Sequence, residues 1–232
     1  VCRIQGISCM RNGSLKRGIR LYKLKKFSQA VEELLSIDSD PSDNPEVGYF
    51  LGLCYVQLGN YDEALLYLEQ AITSGIDILH LYQTRMLLGY IYTITRRYKL
   101  ASFEFNKLLE AGYESPQVFA ALGYVAFEQR KWEECIEFLE QAVALDPENP
   151  NALNSLGYVL AERNTRLEDA KTMCKKAVAK KPKNPAYLDS LGWVFYKLGQ
   201  YEEARLYLRR GLGFAPGNKT IASHLKSVME AV

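Results

Sequence analysis

Several features that would point to a particular chemistry are missing from this sequence of 232 residues. No two cysteines have the C-x-x-C spacing, so neither a secreted disulfide framework nor a zinc site is indicated. The two histidines, His80 and His224, are isolated in the sequence, and neither is placed to activate a serine. No glycine-rich phosphate loop is present. We therefore expect no enzyme activity, no cofactor and no bound metal.

An excess of one charge and long apolar runs are also lacking. Lys and Arg number 29 against 27 Asp and Glu, which leaves a net charge of only +2. A nucleic-acid partner usually needs a much stronger basic surface, and a membrane span needs roughly 18–20 consecutive apolar residues. Neither is predicted, although a lipid anchor at Cys2 or upstream of Val1 stays open. Two basic runs, LKRGIRLYKLKK and KKAVAKKPK, are interpreted as solvated faces; a patch for an acidic partner or lipid headgroups is the alternative.

The five cysteines favour no disulfide framework. Cys54, Cys135 and Cys174 fall inside helical apolar runs, where a free thiol behaves as a small hydrophobic side chain. We expect them to be reduced residues of the core. Such thiols favour a reducing cytoplasm.

What the sequence does contain is a repeat. Six glycines recur at intervals of 34, 37, 34, 34 and 35 residues. Twelve or thirteen residues after each glycine stands a small residue, and three residues before that stands an aromatic residue or leucine. Apolar residues recur every three or four positions, and turns such as QLGNY and KLGQY interrupt them midway, which predicts two antiparallel helices per repeat. The glycines are Gly18, Gly52, Gly89, Gly123, Gly157 and Gly192, and the small residues are Ala30, Ala64, Ala101, Cys135, Ala170 and Ala204.

A glycine inside a helix costs roughly 1 kcal/mol relative to alanine, so its recurrence needs a reason. We expect Gly192 on the first helix to face Ala204 on the second, which lets the two backbones approach closely. The helix starts agree with this division, because Asn or Ser precedes a proline at four of them, as an N-cap before the first helical residue. These starts are Asn44, Ser115, Asn149 and Asn184.

The combination of glycine, small residue and aromatic residue at these spacings resembles the tetratricopeptide repeat family. The resemblance covers residues 11–218 and implies an all-α, right-handed superhelical solenoid of six helix–turn–helix repeats. The predicted repeats are 11–44, 45–81, 82–115, 116–149, 150–184 and 185–218, after a leader of unclear structure at 1–10 and before a capping helix at 219–232. Three extra residues around Ile78–Leu81 are expected to lengthen a junction and to permit a bend. The copies NALNSLGYVLAERNTRLEDA and AYLDSLGWVFYKLGQYEEA are similar to bacterial envelope-type repeat proteins, so cytoplasm and bacterial envelope both stay open as the compartment.

The family's first helices line the concave face of its solenoid, and the resemblance places a groove there in this chain. The positions directly after the glycines, four after them and three before them are expected to face it. The groove is then aromatic in its middle and more polar toward its C-terminal end. The predicted partner-binding residues are Tyr49, Met86, Tyr90, Tyr124, Phe127, Asn154, Tyr158, Asp189, Trp193 and Tyr196.

The predicted function is a non-enzymatic scaffold that binds a peptide or helical segment of a partner protein in this groove. The family's clamp for a C-terminal carboxylate is not reproduced, because the groove positions offer only Lys23 and Lys197 as cations. A more hydrophobic segment, extended or helical, is therefore the expected ligand. The alternative is a structural module that forms a homo-oligomer through end-to-end or convex contacts, with the groove empty.

Overall fold

The computed structural model describes residues 2–37 and 44–231, with side chains from Gly13 onward. Every regular element in this part of the chain is a helix, which confirms the all-α class. Helices α1–α6 belong to one compact unit, Val1–Tyr113 (unit 1), and α7–α13 belong to a second, Glu114–Val232 (unit 2). The bounds are α1 Cys2–Lys23, α2 Phe27–Leu35, α3 Pro45–Leu58, α4 Tyr61–Thr73, α5 Ile78–Ile94, α6 Tyr98–Glu110, α7 Pro116–Glu128, α8 Trp132–Leu145, α9 Pro150–Glu162, α10 Leu167–Lys180, α11 Pro185–Lys197, α12 Tyr201–Phe214 and α13 Lys219–Glu230.

Helix starts follow the capping residues that the sequence provides. The Asn184 side chain accepts hydrogen bonds from the backbone N–H groups of Ala186 and Tyr187, at 2.9 and 3.3 Å. The four predicted Asn or Ser caps with a proline in the first turn are confirmed. Because both features satisfy or remove N–H groups that lack a helical partner, they fix where these first helices begin.

The turns inside the repeats share a left-handed residue at one position, and the fifth turn, which contains an extra residue, adds a second one at Arg166, with φ of 47°. The seventh residue after each repeat glycine has a left-handed backbone, with φ between 51° and 78°. At the last of these turns Gly199 donates to the carbonyl of Tyr196 and Gln200 donates to that of Phe195, both at 2.9 Å, which closes the end of α11. Glycine occupies this position in only two turns, so four turns place a larger residue there: Lys25, Arg96, Arg130 and Asn164.

The repeat glycines let the paired helices approach closely. A Cβ atom built on Gly192 would lie 2.7 Å from Leu208 Cγ and 3.2 Å from the carbonyl oxygen of Ala204. The close approach is as predicted, but the side chain that fills the space lies one turn beyond the alanine. The same arrangement recurs in every repeat, between Gly18 and Leu34, Gly52 and Leu68, Gly89 and Phe105, Gly123 and Leu139, and Gly157 and Cys174.

The junction after the second repeat differs from the expectation. Ile78–Leu81 were predicted to lengthen a connection that could bend, but they form the first turn of α5. Asp77 caps this turn by accepting hydrogen bonds from Leu79 and His80, at 3.1 and 3.2 Å. The extra residues therefore lengthen α5 to 17 residues, because an Asp cap placed one turn early starts the helix there.

Helix α13 packs against α11 and α12. Its sequence NKTIASHL follows the same pattern as NPAYLDSL at the start of α11. Asn218 caps it as Asn184 caps α11, and Ile221 and Val228 are each 1% exposed. Helix α13 thus has the character of one more first helix, with Lys226 where the others have glycine.

Candidate functional site

Five of the predicted partner-binding residues come together around one cavity in unit 2. The cavity has a volume of about 240 Å³ and opens between the first helices α7, α9 and α11. Residues three before, one after and four after a repeat glycine lie on one face of a helix, so the repeat brings them to the same side. The lining includes the predicted Tyr124, Phe127, Asn154, Tyr158 and Asp189.

Sequence reasoning missed the hydroxyl groups in this lining. Ser155 and Ser190 occupy the positions before Leu156 and Leu191, and Thr220 reaches the cavity from α13. The signal was present, since the two serines recur at the same position of neighbouring repeats.

The aromatic rings of the cavity differ in exposure. Tyr124 is 52% exposed, whereas Phe127 and Tyr158 are partly buried. The Phe127 and Tyr158 ring centroids lie 6.0 Å apart, and Trp132 meets Phe127 edge-on at 5.5 Å. The cavity lining therefore combines one accessible ring, Tyr124, with the packed rings of Phe127 and Tyr158, and this arrangement suits an apolar side chain.

Two polar groups give the cavity its electrostatic character. The Oδ1 atom of Asn154 is buried and has no hydrogen-bond partner. Asp189 is 7% exposed and pairs with Nδ1 of His224, at 2.8 Å. Burial raises the pKa of the Tyr158 hydroxyl, and the carboxylates of Glu162 and Asp189 raise this pKa further. The phenol therefore stays protonated beside an unsatisfied acceptor and a carboxylate.

Trp193 and Tyr196 lie beside the cavity and do not line it. The Trp193 ring stacks on Tyr196 at 4.9 Å and on His224 at 4.1 Å, and Lys197 lies 4.9 Å from its centroid. The indole Nε1 of Trp193 is buried without a hydrogen-bond partner. These contacts cover much of the ring from within the chain.

Both histidines, isolated in the sequence, have side-chain partners in the structure. His224 reaches back from α13 to Asp189 and Trp193, and His80 pairs with Asp77 at the start of α5. The contacts of His224 cannot be read from the local sequence, because Asp189 and Trp193 lie about a whole repeat away from it.

The predicted residues of unit 1 are arranged differently. Tyr49 and Met86 line a second cavity of about 530 Å³. Tyr49 is only 5% exposed, donates its hydroxyl hydrogen to Oε1 of Gln83 at 2.5 Å, and has the His80 ring 4.5 Å away. Tyr90 is 52% exposed and belongs to the lining of neither cavity. Of the two tyrosines of unit 1 that were predicted to bind a partner, Tyr49 is therefore packed inside the unit and Tyr90 is accessible.

The buried cysteines are residues of the core, as predicted. Cys54, Cys135 and Cys174 are free thiols with no exposed surface. Burial raises the pKa of Cys54 and Cys135 to about 11 and that of Cys174 to about 12. Within the described residues, no group of three or more His, Cys, Asp or Glu side chains is arranged to hold a metal ion. Among the same residues, no helix has both the length and the apolar character of a membrane span.

Comparison with known proteins identifies the repeat. Family models match three segments: a TPR repeat at residues 123–163, and tetratricopeptide repeats at 160–219 and 49–73. A TPR repeat-containing protein of Pseudomonas aeruginosa is 42% identical over 87 residues, which are 38% of this chain and 15% of the relative. This chain therefore spans a small part of that relative's length.

Solved structures share the fold at low sequence identity. Pseudomonas aeruginosa pilF has a TM-score of 0.74 and 15% identity, with 98% of this chain and 100% of that chain covered. YrrB, described as a TPR protein with an unusual peptide-binding site, has a TM-score of 0.60 and 20% identity, with 86% and 97% covered. These likenesses show the solenoid fold of stacked helix pairs.

Proposed function

Because this chain belongs to the tetratricopeptide repeat family, we propose that it is a protein-interaction scaffold whose unit 2 cavity binds a segment of a partner protein. Proteins of this family generally act as interaction modules rather than as enzymes, and the proposed function is accordingly non-catalytic. The relative from Pseudomonas favours a bacterial source.

One observation carries the proposal. Five residues from three successive repeats line a single cavity that combines an accessible tyrosine with the unpaired Oδ1 of Asn154. A buried acceptor without a donor is costly, about 1–3 kcal/mol, and an N–H group of a bound segment would remove that cost. The peptide-binding site named for YrrB is consistent with this use of the fold.

The test removes the accessible ring. Tyr124→Ala takes away a side chain that is 52% exposed, so we expect little change in the melting temperature. Loss of a central aromatic anchor typically costs about 2 kcal/mol, which is roughly a 30-fold weaker Kd. The partner is isolated on the immobilised wild-type chain from a bacterial extract and then purified for titration. Phe214→Ala is the matched control, because it removes a ring of similar exposure, 50%, from the second helix α12.

The expected result is a Kd that weakens for Tyr124→Ala and stays within about twofold for Phe214→Ala. Equal binding by Tyr124→Ala and wild type, with both folded, would show that the cavity is not the binding site. Failure of the wild type to retain any protein would contradict the scaffold role itself.

One observation favours the alternative of self-assembly. Large apolar residues are exposed on the second helices of unit 1, with Leu66 at 61%, Leu100 at 47% and Phe103 at 51%. Where exposed apolar residues form one contiguous patch, such a surface marks contact with other chains. Light scattering over a concentration series would detect such assembly as a molecular mass that rises with concentration. Phe103→Asp should reduce this rise, and Tyr124→Ala should leave it unchanged.

A further inference from the structure

The first helices of unit 2 carry little positive charge. Helices α7, α9 and α11 have three acidic residues, Glu128, Glu162 and Asp189, and one basic residue, Lys197. Among the residues that the structure describes, the lining of the cavity itself includes the carboxylate of Asp189 and no lysine or arginine. The charged group that a bound segment meets in the lining is therefore a carboxylate.

Two of these carboxylates lie at the cavity. Asp189 is part of the lining, and Glu162 accepts a hydrogen bond from the phenol of Tyr158, another lining residue. Both carboxylates act on that phenol, and their effect on its pKa has the sign of a negative local potential. The one cation of the first helices, Lys197, lies over the ring of Trp193, outside the lining.

Asp189 meets the His224 ring in this arrangement, with Nδ1 of His224 2.8 Å from Oδ1 of Asp189. The side chains of the two residues are 10% and 12% exposed, so solvent screens the carboxylate poorly. A cation brought to the cavity by a partner would therefore be attracted more strongly than at an open surface.

The remaining surface of the cavity sets the second requirement. Its lining is mainly apolar, from Ala120, Phe127, Leu139 and Val159 among others, and its volume is about 240 Å³. A dry cavity of about 150 Å³ in another protein admits benzene, so this one has room for the side chain of a large apolar residue. The unpaired Asn154 Oδ1 in the same lining would accept a hydrogen bond from a peptide N–H.

We propose that the unit 2 cavity selects a partner segment in which a large apolar residue stands within one or two positions of a lysine or arginine, and that it rejects acidic segments. The apolar side chain enters the cavity, and the cation lies against Asp189 and Glu162. This specificity rests on the proposed scaffold function and names the class of segment that the scaffold binds.

A peptide selection tests the specificity directly. The full chain is immobilised and used to select from a phage-displayed library of random 12-residue peptides, and the enriched peptides are synthesised with both ends blocked. Their Kd is measured by fluorescence anisotropy with wild type, Asp189→Asn and Glu137→Gln. Asp189→Asn removes the charge while an amide oxygen can still accept the His224 hydrogen bond. Glu137→Gln is the matched control, because it makes the same charge change on the exposed side of α8.

The expected result is enrichment of peptides that pair a leucine or aromatic residue with lysine or arginine. Their Kd should weaken about tenfold for Asp189→Asn, less than twofold for Glu137→Gln, and several-fold between 50 and 500 mM salt. Should Asp189→Asn fail to fold by circular dichroism, Glu162→Gln takes its place, with the same expectation.

The other outcomes separate the two proposals. Enriched peptides that are acidic, or basic peptides indifferent to Asp189→Asn or to its Glu162→Gln replacement, would overturn the specificity and leave the scaffold function standing. No enrichment on a folded chain would contradict peptide binding in the cavity, and the specificity would fall with it. A second copy of the chain would be identified as the occupant by a different result: no peptide is enriched, the mass measured by light scattering grows with concentration, and Tyr124→Ala abolishes this growth.

Discussion

Replacing Gly192 by alanine tests the helix contact on which every repeat depends. In an open helix this change would gain roughly 1 kcal/mol from helix propensity. Here the new Cβ would lie 2.7 Å from Leu208 Cγ, and Leu208 is fully buried. Overpacking of this kind costs typically 1–3 kcal/mol, and the backbone oxygen of Ala204 at 3.2 Å limits how far the helix can move away. Because this backbone contact places the cost in the upper part of that range, at about 2–3 kcal/mol, we expect a net loss of about 1–2 kcal/mol in the free energy of unfolding.

Urea unfolding followed by circular dichroism measures this loss, and a chain of this length should melt roughly 2–8 °C lower. Gly213→Ala is the control, since a Cβ at that glycine of the neighbouring helix α12 meets nothing within 4 Å. The control should be neutral or slightly stabilising.

A double-mutant cycle with Leu208→Ala isolates the contact. Once Leu208 is truncated, the Cβ of Gly192→Ala occupies vacated space, so its cost should disappear in that background. A Gly192→Ala variant as stable as wild type, or one whose cost is unchanged when Leu208 is already alanine, would show that this contact does not limit the approach of the helices.

Two further predictions concern buried ionisable groups. Arg85→Met removes the partner of Glu104, 2.7 Å away, and should cost about 2–3 kcal/mol at pH 7, whereas Lys226→Met at an exposed pair should cost under about 0.5. Burial raises the pKa of Glu104 and Arg85 opposes that rise, so the carboxyl of the variant titrates higher still. The stability deficit of the variant should therefore shrink as the pH falls from 7 through these raised pKa values, because Glu104 becomes protonated in both folded proteins, and urea unfolding at pH 7 and about pH 4 measures this. Burial and a raised pKa should also protect the thiols of Cys54, Cys135 and Cys174 from iodoacetamide at pH 8 in the folded chain, whereas urea should expose them to labelling. Peptide mass spectrometry measures this, and labelling of the folded chain would contradict their burial.

Local rules predicted the repeats well because each rule acts within one helix or one turn. Asn184 with Pro185 marks a helix start, and the position of Gly192 marks the pairing of two helices. The same rules could have placed the start of α5, since Asp77 is a good cap, but alignment to the other repeats favoured a longer connection. The error came from preferring the period over the capping residue.

The site was less predictable because burial depends on neighbouring repeats. Tyr49 and Tyr90 were both expected in the groove, yet Tyr49 is packed against His80 and Tyr90 is half exposed. His224 belongs to a helix that lacks the repeat glycine, so alignment on glycine left it out, although its position after the Asn218 cap matches that of Ser190 after Asn184. Partners of this kind are found by aligning caps rather than glycines.

The pairing of each glycine with one later side chain has a consequence for how the chain folds. The two members are separated by sixteen residues, or by seventeen for Gly157 and Cys174, so each hairpin of helices can close using only its own residues. Short loops of this kind form fast, and chains dominated by them fold rapidly for their length. The cooperativity of unfolding must then come from the surfaces between successive hairpins. One part of the chain can therefore open at such a surface, rather than within a hairpin, while the rest stays folded.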